Sequence, residues 1–132
     1  MTDDEFMAAV RAGAEPSGHV ANLRLTWLLL RDRPNDAEEA LAAALSRRAQ
    51  CSGGTVHRTR TATWLALVRA AMESAPQAGD LEDLLRRRAD LLDRNLLLRY
   101  YEPATLNDPI AATIVVSPDR SPLPGRRQLV TA

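Results

Sequence analysis

Apolar residues recur at helical spacing along almost the whole chain, and the gaps between the runs are filled by Gly, Pro and Ser. Thr2 followed three residues later by Glu5 has the form of a capping box, and Phe6 and Val10 make the inward stripe of a first helix over residues 3–12, stopped by Gly13. After the turn Glu15-Pro16-Ser17-Gly18, the Leu-rich stretch from His19 to Asp32 reads as a second helix that Pro34 ends. Asn35 and Glu38 repeat the capping-box pattern ahead of AEEALAAALSRRAQ, a third helix closed by Ser52-Gly53-Gly54. Thr55 is the expected cap of a fourth helix that continues to about Ser74, before Pro76 and Gly79. Thr59, Thr61 and Thr63 alternate as in a strand, but the helical period of Leu65, Val68 and Met72 outweighs them.

Asp80 opens LEDLLRRRADLLDRNLLLRYY, a fifth helix ending near Tyr101, with a break expected near Asp90 or Asn95. Pro103 and the pair Asp108-Pro109 point to one or two short helices up to about Val116; the run Ile114-Val115-Val116 also suits a short strand, though it lacks an obvious partner. Pro118, Pro122, Pro124 and Gly125 predict an extended segment lying over the domain and then a disordered end. The expected fold is therefore all-α: a single-domain bundle of about five main helices with one or two short C-terminal helices. Residues 1–116 form the helical domain, and 117–132 an extended or partly disordered tail.

Composition narrows the function classes. Seventeen basic residues balance seventeen acidic ones, so no overall field favours nucleic acid or an anionic membrane, and neither is an expected partner. Every basic residue is Arg, which excludes Schiff-base lysine chemistry. Cys51 is the only cysteine, which rules out an intramolecular disulfide and suits a reducing compartment. The N-terminus MTDDEFMAAV is acidic where a signal peptide is basic, and the apolar run around Trp27 to Leu30 is too short to cross a bilayer. A cytoplasmic location is expected.

Short loops make neighbouring helices antiparallel, which would bring the starts of the second and fourth helices to the same end as the close of the third and fifth. His19, His57, Cys51, Arg99, Tyr100 and Tyr101 would then share one end of the bundle. On the second helix Asn22 and Thr26 lie beside His19, with Trp27 following; on the fourth, His57, Thr61 and Trp64 share a face. Each helix has a polar first turn and an apolar continuation, the pattern of a pocket with a greasy floor and a polar mouth. A histidine in a first helical turn feels the positive end of the macrodipole, which favours the neutral ring, and a neutral imidazole can act as a base. The segments HVANLRLTWLLLR and HRTRTATWLALVR echo each other, but Leu-rich helices produce such echoes without duplication.

Other features have structural explanations. Trp27 and Trp64 suit a small helical core, Arg86 to Arg88 a solvated face, and Cys51 a small buried hydrophobe. Two histidines without a carboxylate partner fall short of a metal-ligand set, so neither metal nor cofactor is expected.

The succession GHVANLRLTWLLL, VHRTRTATWLALV, LLLRYYEPATL and PDRSPLP resembles a family of small bacterial all-helical proteins, over roughly residues 6–124. In that family the first segment tends to carry two histidines three apart and the second a His-Glu-Thr sequence. His19, His57 and Thr59 match; Asn22 stands in place of the second histidine and Arg58 in place of the glutamate. The resemblance implies a helical fold and a site location, but not a reaction. Any metal binding or proton transfer that used the missing His and Glu is lost here.

The leading functional expectation is a small cofactor-independent enzyme of bacterial specialised metabolism, performing acid–base chemistry such as cyclisation, isomerisation or dehydration on an organic substrate. His57 would be the base, with His19 and Asn22 orienting the substrate. Tyr100 or Tyr101 would donate a hydrogen bond, Arg99 would hold an acidic group, and Thr26, Trp27, Thr61 and Trp64 would line the pocket. The alternatives are a non-catalytic helical interaction module, including a homodimer packed through the fifth helix, and a ligand-binding regulator.

Overall fold

The computed structural model describes residues 1–52 and 54–125, and it shows the all-α bundle class. Among the described residues the helices are α1 (Asp3–Arg11), α2 (His19–Asp32), α3 (Ala37–Ser52), α4 (Arg58–Ser74), α5 (Leu81–Arg87), α6 (Pro103–Asn107) and α7 (Pro109–Thr113). Two 3₁₀ turns, Ala89–Leu92 and Leu96–Arg99, lie between α5 and α6, and no strand is present among the described residues. None of these helices is long and apolar enough to cross a membrane. Contacts gather into two compact units, Met1–Val56 and the described residues from His57 onward.

In the N-terminal unit, the capping box of α1 forms as its sequence predicts. The Glu5 amide donates to Thr2 Oγ1 at 3.1 Å, and the Thr2 amide donates to Glu5 Oε1 at 2.8 Å. Gly13 then leaves the helix at φ +71°, a conformation that favours glycine, and a Cβ there would crowd Cys51 Sγ at 3.0 Å. Cys51 itself is exposed, in the last turn of α3, rather than a buried hydrophobe. Phe6 and Val10 are buried, and the Arg24 guanidinium of α2 lies over the Phe6 ring at 4.8 Å while pairing with Asp3 at 2.7 Å. Helices α1 and α2 both pack on α3. That third helix opens at Ala37, so Asp36 rather than Asn35 precedes its first residue, and the Asp36 carboxylate is held by Arg33.

In the C-terminal unit α4 packs against α7 and the second 3₁₀ turn, α6 against α7, and α5 against the first 3₁₀ turn. The cap of α4 is His57, not Thr55. The fifth helix expected from Asp80 to Tyr101 is broken up after Arg87. Arg88 leaves helical geometry at φ −131° and ψ 66°, with its guanidinium on Asp90 and Ser74. Asp93 is extended and its carboxylate accepts from the Asn95 amide at 2.9 Å. Short polar side chains here offer the backbone local bonds that compete with an α-helical ladder. Arg99 therefore closes the second 3₁₀ turn, Tyr100 and Tyr101 follow it, and the three do not end a continuous helix.

Beyond α7 the chain is extended and held in place through Thr59. The buried Thr59 hydroxyl donates to the Ile114 carbonyl at 2.9 Å and accepts from the Val116 amide at 3.1 Å, supplying the pairing that a neighbouring strand would give. Further on, the Arg120 amide donates to the Tyr100 carbonyl at 2.9 Å, and the Asp119 carboxylate accepts from the Glu102 amide at 2.8 Å and from the Thr105 hydroxyl. Asp119 thus caps α6 from outside that helix. The expected disordered end falls on residues 126–132, outside the described residues.

The Thr105 hydroxyl, and after it the Glu102 amide, hold the Asp119 carboxyl below its ordinary value. A depressed folded-state pKa makes this strap contact contribute above the ordinary aspartate value of about 3.9 and disappear as the pH falls through the folded value. Melting temperatures measured from about pH 6 down to about pH 3 should therefore fall more steeply for the wild type than for Asp119→Asn, with the two curves converging in acid. Parallel curves would show that the cap contributes nothing.

Candidate functional site

Sequence reasoning placed the chemistry at His57, and the geometry there is that of a structural clamp. His57 Nδ1 accepts from the Arg60 amide at 3.1 Å, so the ring proton sits on Nε2, which lies 2.9 Å from the Leu106 carbonyl and donates to it. One half-buried neutral imidazole caps α4 and ties it to α6. Both ring nitrogens are occupied by backbone groups.

Tyr101 plays a similar part. Its ring is 1% exposed, and its hydroxyl donates to the Val116 carbonyl at 2.6 Å. Thr63, whose hydroxyl donates to the Thr59 carbonyl at 2.7 Å, stands 3.5 Å from the Tyr101 oxygen. Burial pushes the Tyr101 phenol above its ordinary pKa, which suits a fixed neutral donor. The C-terminal unit thus brings His57, Thr59, Thr63 and Tyr101 into a scaffold that fastens the segment after α7. Of the other expected site residues in this unit, Thr61, Trp64 and Tyr100 are half-buried and Arg99 is exposed.

The N-terminal unit holds a different kind of cluster. His19 opens α2 and is half-buried, and Asn22 lies at the close of the same first turn. Thr26 is buried, with its hydroxyl turned back onto the Asn22 carbonyl at 2.8 Å, and Trp27 is a core residue under the Arg31 guanidinium at 5.1 Å. These two residues are therefore occupied by packing and local bonding. The Asn22 side chain, in contrast, accepts from Arg48 Nη2 at 2.8 Å.

Beside this pair lies Glu15, whose side chain is 0% exposed. Its Oε2 stands 3.8 Å from Arg48 Nη1, close enough for charge pairing but beyond hydrogen-bond distance. Neither carboxylate oxygen has a hydrogen-bond partner among the described residues. Removing a carboxylate from water costs several kcal/mol, of the order that well-placed hydrogen bonds normally offset. A carboxylate held this way is a strong acceptor fixed in a region of low dielectric.

Neither Glu15 nor Arg48 was among the expected site residues. Glu15 sits in the turn before α2, where Pro16 and Gly18 explain the local sequence and conceal the acid. Arg48 did carry a legible signal, because Leu41, Ala44 and Arg48 follow the helical period of α3 and the first two are buried. An arginine on an apolar stripe calls for an anionic partner. Among the described residues, no group of three or more His, Cys, Asp and Glu is placed to hold a metal ion.

Comparison with protein-family models, with curated proteins and with solved structures finds no match to this chain.

Proposed function

We propose that this protein binds a small organic ligand in its N-terminal unit, at the first turn of α2 and the facing side of α3. The observation that carries the reading is the Glu15 carboxylate, wholly buried and without a hydrogen bond to any described group. Arg48 lies alongside it, Asn22 is bonded to Arg48, and His19 opens the same helical turn as Asn22. A ligand donor placed on Glu15 would supply the bonds that offset the burial of the charge.

A second reading, a cofactor-independent acid–base enzyme performing cyclisation, isomerisation or dehydration, is favoured by the same carboxylate. A buried acceptor with no competing donor is well suited to taking a substrate proton. In that reading Glu15 replaces His57 as the base, since His57 is occupied on both ring nitrogens.

The test is a thermal-shift screen against a mixture of cellular metabolites, using wild type, Glu15→Gln and His57→Gln. A ligand raises the melting temperature by mass action, and its consumption during incubation distinguishes an enzyme from a binding protein. The expected result is a shift seen in wild type and lost in Glu15→Gln. His57→Gln should melt lower without ligand, for loss of its cap and its bond to Leu106, yet keep the ligand-induced shift. A shift lost in His57→Gln but retained in Glu15→Gln would return the site to the C-terminal unit. No shift in any variant would favour an interaction module, for which the exposed Ile110, Ile114 and Val115 side chains are the natural contact.

A further inference from the structure

We infer that the head group recognised at Glu15 is electrically neutral and presents two parallel N–H donors, as an open-chain ureido group with both N–H bonds anti to its carbonyl does. This rests on the ligand-binding reading above and specifies its chemistry.

The first argument is geometric. Both Oε1 and Oε2 of Glu15 are buried, and neither accepts a hydrogen bond from a described group. A carboxylate with both oxygens buried and without a donor is matched best by a planar head with two parallel N–H groups, which forms a bidentate pair. A single hydroxyl or amine satisfies only one of the two oxygens, and the second would stay buried without a donor.

The second argument concerns charge. Guanidinium and amidinium heads have the same two-pronged geometry, but Arg48 Nη1 already stands 3.8 Å from Glu15 Oε2. The pair is neutral as it stands. A cationic head would bring a second positive charge against Arg48 in a place where solvent screening is weak, whereas a neutral head makes the same hydrogen bonds without that repulsion. Asn22 adds a third element. Its Oδ1 is taken by Arg48 Nη2 at 2.8 Å, so its Nδ2 is the group that side chain offers, a donor suited to the carbonyl oxygen of a urea.

The experiment is an amide-resolved NMR titration of the wild-type chain with 1,3-dimethylurea and, separately, with methylguanidinium chloride, which keeps the two parallel N–H groups but adds a charge. The neutral probe should shift the signals of Glu15, Asn22 and Arg48 saturably, at a concentration about tenfold or more below that needed by the cation. The response should vanish in Glu15→Gln, whose folded state is checked by its own spectral dispersion. Because the comparison of the two probes is made on wild type, it stands even if that variant fails to fold. Saturation by methylguanidinium at the lower concentration overturns the assignment of a neutral head. If neither probe moves these signals while a metabolite still stabilises the protein through Glu15, the head-group class is wrong and the binding reading survives. If Glu15-dependent stabilisation is also missing, both fall.

Discussion

Tyr101→Ala is expected to be among the most destabilising single substitutions in the C-terminal unit, at about 3–5 kcal/mol, with Tyr101→Phe costing about 1–2 kcal/mol. The larger figure follows from deleting a ring that is 1% exposed, which removes its burial and leaves a cavity. The smaller isolates one hydrogen bond, because Phe keeps the ring while the Val116 carbonyl loses its 2.6 Å donor. Urea unfolding of the three proteins measures both quantities. The Phe variant should also exchange the Val116 amide faster, since that amide is bonded to Thr59 within the same strap. A Phe variant as stable as wild type would show that the Tyr101 hydroxyl contributes nothing to holding the segment after α7, leaving it to Thr59, Asp119 and Arg120. One as damaged as Ala would mean that the hydroxyl, not the ring, organises this unit.

Boundaries set by local chemistry were legible: the Thr2–Glu5 box, the stop at Gly13, the start of α2 at His19 and the end of α4 at Ser74 all depend on residues within a turn of the boundary. The break-up of the stretch after Arg87 was only partly legible. Leucine periodicity argues for one helix, and what overrides it is a set of contacts by Arg88, Asp90, Asp93 and Asn95 whose strength depends on how the backbone is already held. Tertiary bonds left no local trace. The motifs LLLRYYEPATL and PDRSPLP stand out in the sequence, and the structure joins them through Asp119 on the Glu102 amide and the Arg120 amide on the Tyr100 carbonyl. Their distinctive residues serve the scaffold. Polar residues expected at one end of the bundle suggest chemistry, yet His57 and Tyr101 bond to the backbone, while Glu15 draws no notice inside a Pro-Gly turn.

That contrast makes Arg48 the decisive position for the N-terminal unit. Arg48→Met should destabilise the protein by about 3–5 kcal/mol, because it leaves the Glu15 carboxylate buried without the cation beside it. It also removes the donor to Asn22 Oδ1. Glu15→Leu combined with Arg48→Met should recover most of that loss, since replacing a buried pair by apolar side chains of similar volume is often close to neutral. A double-mutant cycle of urea unfolding gives the coupling directly, and the double variant should no longer respond to any ligand that stabilises wild type. If Arg48→Met costs less than about 1 kcal/mol, the pair behaves as a solvent-screened surface contact and the basis for a site at Glu15 is gone. If the single variant is severe and the double variant is stable but unresponsive, the charged pair contributes little to folding. Its retention in an otherwise apolar stripe of α3 is then explained by what it binds.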